Sequence, residues 1–313
     1  MSMSEDDALA PVIAVMLILA ILATFLSIWN AVAIPSMKAE SEVSHIREVE
    51  QGFARFGSDI TNAAALHQEG TISETIPLGG GGIVFSPGTS AGTIQVLEEP
   101  IPYANVTLGN ETTPVNLSLV EFSYQPVGSY WQDQGYIWRY GYVNVTQGYH
   151  QIVNDSTGER TGSGLEVPLS FTNMTELNLR GAGSGPVRSF ARSLVDIEPA
   201  SEDGYNLSSV EVTVVNFAAS RENSFRSGNG LGTFALTTEV ERNDSVHSLT
   251  IRLSNDTAVP GYLSTAVSDK LSESVQVYSN TSQVSRSPDN LTYTIQPEKS
   301  IRFRMVNITV YAY

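Results

Sequence analysis

Residues Leu9 to Ile34 read LAPVIAVMLILAILATFLSIWNAVAI, a run of 26 residues without a charged side chain. As a helix with a rise of about 1.5 Å per residue, this run is roughly 39 Å long. It therefore exceeds the ~30 Å hydrocarbon core of a bilayer and can cross it with some tilt. We call this run the stem. It predicts a single membrane crossing, with Trp29 placed as an interfacial anchor.

Three interpretations of the stem remain open. A cleaved secretory signal peptide would explain the small residues Ala31 and Ala33, but such peptides have a basic start and about 7–15 apolar residues. This chain instead starts with the acidic MSMSEDD. A plain transmembrane anchor requires only the length and apolarity of the stem. The third interpretation depends on the residues around Ala8.

The sequence Asp7-Ala8-Leu9-Ala10, followed by Pro11-Val12-Ile13-Ala14-Val15, resembles the class III signal of archaeal type IV pilins and archaellins. In that family a charged residue and a small residue precede the cleavage site, and the apolar helix is retained. The resemblance implies that a prepilin peptidase cuts between Ala8 and Leu9. This chain departs from many members of the family in having Glu5, Asp6 and Asp7, rather than Lys or Arg, before the cut.

Under this resemblance residues 1–8 are a leader peptide and residues 9–36 are a transmembrane, pilin-like helix. The processing residues are Asp7, Ala8 and Leu9. The residues implied to contact lipid or neighbouring subunits are Leu9, Pro11, Ile13, Leu17, Ile21, Phe25 and Ile34.

The charge balance excludes one class of function. The 313 residues carry 17 Lys and Arg against 33 Asp and Glu, a net charge of −16. Nucleic-acid binding depends on basic side chains that contact phosphates, so we expect no nucleic-acid partner. The absence of Cys removes disulfides, thiolate metal sites and Cys nucleophiles.

An amphipathic stalk helix is predicted over residues 37–70. Pro35 should kink its junction with the stem, because proline lacks the backbone donor that a helix uses. Beyond it, apolar residues recur at spacings of three or four, which places them on one helical face: Ala39, Val43, Ile46, Val49, Phe53, Phe56 and Ile60. This face needs a partner, either the chain's own β region or neighbouring copies.

From Thr71 onward, short alternating runs separated by turn residues predict antiparallel strands. The clearest runs are Ser208–Phe217, Gly232–Glu239, Ser248–Leu253 and Ile301–Tyr313, with a short helix around Leu263–Leu271. The predicted fold class is α+β, mainly β: a long N-terminal transmembrane and stalk helix, then an antiparallel β-sandwich-like ectodomain. The Gly-rich segment Gly181–Gly185 predicts a boundary between a first β domain (71–180) and a second (186–313).

The last run changes its pattern part-way. Ile301 and Phe303 alternate on one parity, and Val306 and Ile308 on the other. Because a slip of one residue exchanges the two faces of a strand, we predict a β-bulge near Met305–Val306. Such a bulge would turn Asn307 towards solvent.

Asn-x-Ser/Thr sequons are far more frequent than chance predicts. Each is an acceptor pattern for N-glycosylation, which implies a surface position in an exported protein. The candidate sites are Asn105, Asn110, Asn116, Asn144, Asn154, Asn173, Asn206, Asn243, Asn255, Asn280, Asn290 and Asn307. All follow the stalk, so we predict that the N-terminus is inside and residues after the stalk are outside. The alternative is that these residues simply suit turns and edge strands.

Nothing in the sequence predicts catalysis. Gly88–Gly92 matches G-x-S-x-G, but that motif needs a helix after it, whereas Thr93–Leu97 has the pattern of a strand. The four His residues have no metal-ligand spacing. Aromatic residues suit strands, so the aromatic segment Ser129–Val145 is predicted to be core. Because Trp138, Tyr140, Tyr142 and Asn144 share one parity, either Gly141 breaks the register or an aromatic stripe faces outward.

The sequence therefore predicts an exported cell-surface structural protein, a pilin-like subunit or minor pilin of an archaeal type IV pilus-like filament, with adhesion as a further role. The alternative is a single-pass, membrane-anchored, glycosylated adhesin or receptor that does not polymerise. Expected partners are membrane lipid, a prepilin peptidase and other pilin-like subunits, identical or different. We expect no cofactor, no metal and no enzymatic activity.

Overall fold

The computed structural model describes residues 5–80, 82–83, 88–109, 111, 113–128, 133–153, 160–168, 186–199, 209–278, 284–287, 291–297 and 300–313. One long helical segment opens the chain. It consists of α1 (Glu5–Ile28), a π-helical turn (Trp29–Ala33) and α2 (Ile34–Leu66). Two shorter helices follow among the described residues, α3 (Pro186–Ser193) and α4 (Gly261–Tyr278). The predicted helix around Leu263–Leu271 is thus confirmed and is longer than expected.

The remainder is mainly strand, so the predicted α+β, mainly β class is confirmed. The strands are β1 (Gly70–Pro77), β2 (Ala91–Glu98), β3 (Ala104–Leu108), β4 (Val115–Leu117), β5 (Val120–Val127), β6 (Gln134–Arg139), β7 (Tyr142–Val153), β8 (Arg160–Pro168), β9 (Val195–Pro199), β10 (Ser209–Gly228), β11 (Leu231–Val246), β12 (Leu249–Leu253), β13 (Val284–Arg286), β14 (Thr292–Ile295) and β15 (Ser300–Ala312).

Two sheets organise these strands. A ten-stranded sheet has the order β1-β11-β15-β10-β2-β5-β6-β7-β8, with β9 also paired to β10. A five-stranded sheet has the order β13-β14-β12-β3-β4. Neighbouring strands are antiparallel except β10 and β15, which run parallel. This parallel pair departs from the purely antiparallel prediction, and between its two strands the chain forms β11, β12, α4, β13 and β14.

The two predicted β domains do not have separate sheets. β1 pairs with β11, β2 with β10 and β3 with β12, so both sheets contain strands from 71–180 and from 186–313. Buried residues of both ranges also belong to one hydrophobic cluster. The expected division was wrong because Gly-rich composition reports local chain flexibility and carries no information on which distant strands pair. The boundary segment 181–185 itself lies outside the described residues.

The predicted bulge in the last strand is also wrong. β15 keeps an unbroken register with β10 from Ser300 to Val310, and the shift in its pairing with β11 falls between Asn243 and Val246 of β11. The change of parity is nevertheless real, since Ile301 and Phe303 are buried on one face and Val306 and Ile308 on the other. One face of β15 is therefore covered along its first part and the other face along its second part. This explains the change of parity without a bulge.

In the described part of the aromatic segment, residues 133–145, the aromatic side chains of β6 belong to the core. Tyr136 and Trp138 of β6 are buried. Tyr140 (φ 53°) and Gly141 (φ 91°) form the turn into β7, so Gly141 breaks the register as one of the two interpretations required. A Cβ at residue 141 would lie 2.7 Å from the Phe190 ring, which makes glycine necessary here for space as well as for conformation.

Candidate functional site: the exposed apolar stem and its attachment

The stem projects from the β region without any covering chain among the described residues. Its large apolar side chains from Val12 to Val32 are between 39% and 66% exposed. The helix that contains them, Val12–Leu66, has a mean hydropathy of 2.7 in its most apolar window and is long and apolar enough to cross a membrane. Of the implied contact residues, Ile13, Leu17, Ile21 and Phe25 are exposed, and Ile34 is half-buried.

The first turns of α1 contain the residues implied in processing. Asp7, Ala8 and Leu9 are helical in backbone, as is Pro11, while their side chains lie outside what the structure describes. Cleavage after Ala8 stays a prediction.

The junction between stem and stalk is a π-helical turn rather than a break. The backbone N–H of Ile34 donates to the Trp29 carbonyl, five residues earlier. Pro35 follows at once and cannot donate, so the wider turn accommodates the proline while the helix continues. Trp29 also contacts Phe25, with ring centroids 6.1 Å apart. Stem and stalk are thus one helical segment with a local irregularity at their junction.

The stalk helix α2 attaches the stem to the β region through an aromatic contact. Of the predicted stripe, Ile46, Val49, Phe53, Phe56 and Ile60 are buried, whereas Ala39 and Val43 are half-buried. The prediction of one apolar face is confirmed, and the chain's own sheet is a partner for it.

Phe56 shows how close this packing is. Its ring centroid lies 5.1 Å from that of Phe122 and 5.4 Å from that of Phe234. Phe122 in turn stacks on Trp138 at 5.1 Å. These rings come from α2, β5, β11 and β6, so the helix and three strands share one aromatic cluster.

Two glycines let α2 approach the sheet, and the pattern of apolar residues did not single them out. A Cβ at Gly52 would lie 2.3 Å from Ile76 Cγ2, and one at Gly57 would lie 2.9 Å from Trp138 Cδ1. Their signal in the sequence is their position beside Phe53 and Phe56, on the same helical face.

His45 adds a polar contact between α2 and β5. Its Nε2 lies 2.9 Å from the Tyr124 hydroxyl, which also donates to the Leu78 carbonyl at 3.3 Å. Burial lowers the pKa of His45 below its usual 6.5, against the opposing charges of Glu48 and Glu42. The neutral imidazole is therefore the form that the folded chain favours.

An ionic cluster joins β5 and β6 to Glu99, the residue that directly follows β2. Arg139 donates to both carboxylate oxygens of Glu99, from Nε at 2.6 Å and from Nη2 at 2.8 Å. The same Nε lies 3.5 Å from Glu121 Oε2, and the Tyr140 hydroxyl donates to Glu99 at 3.1 Å. Both glutamates are less than 5% exposed. Since the groups satisfy one another, this arrangement serves to hold three strands together, and no spacing in the sequence predicted it.

Comparisons with protein-family models, curated proteins and solved structures find no match to this chain.

The motifs considered for chemistry have structural contacts. The Ser90 hydroxyl of the G-x-S-x-G motif donates to the Gly80 carbonyl at 3.0 Å and accepts from the Gly80 N–H at 3.1 Å. The strand β2 follows it directly, as predicted. Within the described parts of the chain, no three His, Asp or Glu side chains lie together in a way that could hold a metal ion.

Eleven of the twelve sequons fall into three groups, and the buried Asn144 forms a fourth. Asn110, Asn154, Asn173, Asn206, Asn280 and Asn290 lie outside the described residues. Asn116, Asn243 and Asn255 are exposed, and Asn105 and Asn307 are half-buried. Glycosylation at these sites stays a prediction.

Two of the described sequons, Asn144 and Asn307, lie within the ten-stranded sheet. Asn144 lies in β7 between β6 and β8 and is only 3% exposed. The folded strand leaves no room for a glycan there, so that predicted site is wrong. Asn307 accepts from Asn216 Nδ2 at 3.2 Å and donates its own Nδ2 to Glu241 at 3.1 Å. A glycan on Asn307 would be attached to the Nδ2 atom that makes this second bond.

Proposed function

We propose that this chain is an exported, pilin-like subunit or minor pilin of an archaeal type IV pilus-like filament, anchored in the membrane by its stem before assembly. One observation carries the proposal. A single helical segment has an uncovered apolar part, Val12–Val32, and a second part, α2, whose aromatic face lies in the core of the β region.

The exposed stem requires an apolar environment. Fourteen large apolar side chains between Val12 and Val32 are exposed. Full burial of one such side chain is worth about 1.5–3 kcal/mol, so together they represent on the order of 20 kcal/mol. Lipid satisfies this requirement before assembly, and the stems of neighbouring subunits would satisfy it within a filament.

The attachment of the stem favours a subunit over a tethered adhesin. A binding domain on an anchor needs only a flexible tether. Here the helix runs from Glu5 to Leu66 through the π-helical turn, and α2 is packed on the sheet by Phe53 and Phe56. Contacts between stems would thus be transmitted directly to the position of the β regions, which is what an ordered filament needs.

The sequons support an external location for the β region. All twelve follow the stalk, and three of those described are exposed. This distribution agrees with an N-terminus inside and a β region outside, at the cell surface.

Electron microscopy of cells that carry the tagged chain tests the proposal. Immunogold label should follow surface filaments for the wild type and for Ser4→Leu, which adds a leucine to the leader away from the cut. Ala8→Leu should be retained in the membrane without filament label, because it alters the residue before the cut. Surface label that never coincides with a filament would instead support the non-polymerising adhesin.

A further inference from the structure

A small cavity lies between the stalk helix α2 and the turn that joins β6 to β7, and its volume is about 220 Å³. Its walls include Gly57, Ser58 and Thr61 of α2, together with Trp138 of β6 and Tyr142 of β7. None of the described residues that line it carries a charge. We call it the indole cavity, and its walls suit an uncharged group.

The indole of Trp138 directs its N–H edge towards α2, where Gly57 leaves that edge open. Trp138 is only 2% exposed. A Cβ at residue 57 would lie 2.9 Å from Trp138 Cδ1 and 3.0 Å from Nε1, so any side chain there would cover the edge. Within the described parts of the chain, the Nε1–H has no hydrogen-bond partner. Because a buried donor without a partner costs free energy, this N–H favours a ligand that brings an acceptor.

The hydroxyl of Thr61 adds a second polar group to the indole cavity. It donates to the Gly57 carbonyl at 2.9 Å, so its oxygen keeps the capacity to accept. A ligand hydroxyl in the cavity thus has a donor in Trp138 and an acceptor in Thr61. An apolar cavity of about 150 Å³ binds benzene, so a volume of about 220 Å³ has room for a ring with a hydroxyl. These properties together describe a phenol group.

The chain itself presents such a group at its surface. Tyr313 is the one tyrosine among the described residues whose side chain is exposed, at 51%. Its backbone exchanges two hydrogen bonds with Thr233, at 2.8 and 3.1 Å. The preceding residue, Ala312, is buried opposite Phe234, whose ring stacks on Phe56 of α2. Since neighbouring residues of a strand face opposite sides, Tyr313 lies on the side of the large sheet that faces away from α2 and from the indole cavity.

We propose that Tyr313 of one copy inserts its phenol ring into the indole cavity of a second copy. The two surfaces lie on opposite sides of the large sheet, so each copy can make both contacts at once. Such a head-to-tail contact continues into a helical filament unless its rotation closes a ring. It would add to the packing of the stems. This inference rests on the proposed function, because the filament brings the copies side by side.

Crosslinking in cells that carry the full chain tests this contact, because the chain has no Cys of its own. Ser58→Cys is at the exposed mouth of the indole cavity. Leu231→Cys is close to Tyr313, since Leu231 is 66% exposed and lies two residues before the strand partner Thr233. A short bismaleimide should convert the double variant into dimers, trimers and larger species on a denaturing gel. Either single variant should stay monomeric, because its Cys faces a different surface of the next copy.

Leu66→Cys combined with Leu231→Cys is the matched control. Residues 58 and 66 are eight positions apart on α2, which is about 12 Å along the helix. Leu66 is 62% exposed, so its Cys is equally open to the reagent. Its crosslinking to position 231 should be severalfold weaker than that of Ser58→Cys.

Changes at Tyr313 separate the role of the ring from that of the hydroxyl. In the double-cysteine chain, Tyr313→Phe removes the hydroxyl and should lower the yield of multimers severalfold. Tyr313→Ala should reduce it to that of the single variants, as should Ala54→Leu, which fills the cavity from α2. Tyr311→Phe changes a half-buried tyrosine on the same face of β15 and should leave the yield unchanged.

A double-cysteine chain that stays monomeric would overturn the contact. Dimers without larger species would overturn it too, since they indicate a closed pair rather than a head-to-tail chain. A yield unaffected by Tyr313→Ala would overturn the insertion of this side chain. Electron microscopy of the same cells separates the two proposals. Filaments without crosslinks remove the contact alone, crosslinks without filaments support the contact and remove the filament, and the absence of both removes both.

Discussion

Phe56 lies at the centre of the contact between α2 and the larger sheet, so its replacement by alanine measures how firmly the helix is attached. The side chain is fully buried, and its ring contacts Phe122 and Phe234 at 5.1 and 5.4 Å. Phe→Ala substitutions in cores cost about 3–5 kcal/mol, since transfer free energy is lost and a cavity remains. Because rings from α2, β5 and β11 meet here, the site has little freedom to collapse, and we expect the upper half of that range.

The assay is urea unfolding of the full chain in detergent micelles, followed by tryptophan fluorescence. Trp138 stacks on Phe122 at 5.1 Å and so reports directly on this cluster. Leu66→Ala is the control, since truncation of a side chain that is 62% exposed should change the free energy of unfolding by less than about 0.5 kcal/mol. A loss below about 1 kcal/mol for Phe56→Ala would refute the claim that α2 is part of the core.

Two further predictions use the same unfolding measurement. Burial lowers the pKa of His45 in the folded chain, so below about pH 6.5 the unfolded chain binds a proton at His45 before the folded chain does. The free energy of unfolding should therefore fall as the pH is lowered through this range. His45→Asn should make the free energy of unfolding less dependent on pH there. An unchanged slope would exclude His45 as its source. Arg139→Met should cost about 3–5 kcal/mol, since it removes the positive charge that contacts the buried Glu99 and Glu121. Arg55→Met removes a largely exposed partner and should cost less than about 1 kcal/mol; equal losses would contradict the role given to burial.

The helical part of the fold could be predicted because its signals are local. Charge-free length indicates the stem, and the spacing of Val49, Phe53, Phe56 and Ile60 indicates the face that is buried. The turn at Gly141 was one of two predicted alternatives, the other being an aromatic stripe that faces outward. In each case the deciding residues lie within a few positions of one another, where helix and turn geometry relate sequence directly to structure.

The arrangement of the sheets could not be predicted in the same way. The pairing of β1 with β11 joins Gly70 to Thr238, and alternation along a strand does not specify its distant partner. The change of parity in β15 has the same difficulty. A bulge produces this sequence pattern, and so does a strand whose two faces are covered along different parts of its length, so the sequence does not distinguish them. The sequon at Asn144 failed because a three-residue pattern contains no information on burial.

The mature N-terminus of the native protein tests the central claim most directly, since that claim is that the stem is a retained, processed helix. Mass spectrometry of the chain isolated from the cell surface should find Leu9 as the first residue, with residues 1–8 absent. A surface protein that still begins with Met1 or Ser2 would contradict the account and leave a plain anchor. A start after Ala33 would contradict it too, because the stem would then have been removed as a signal peptide.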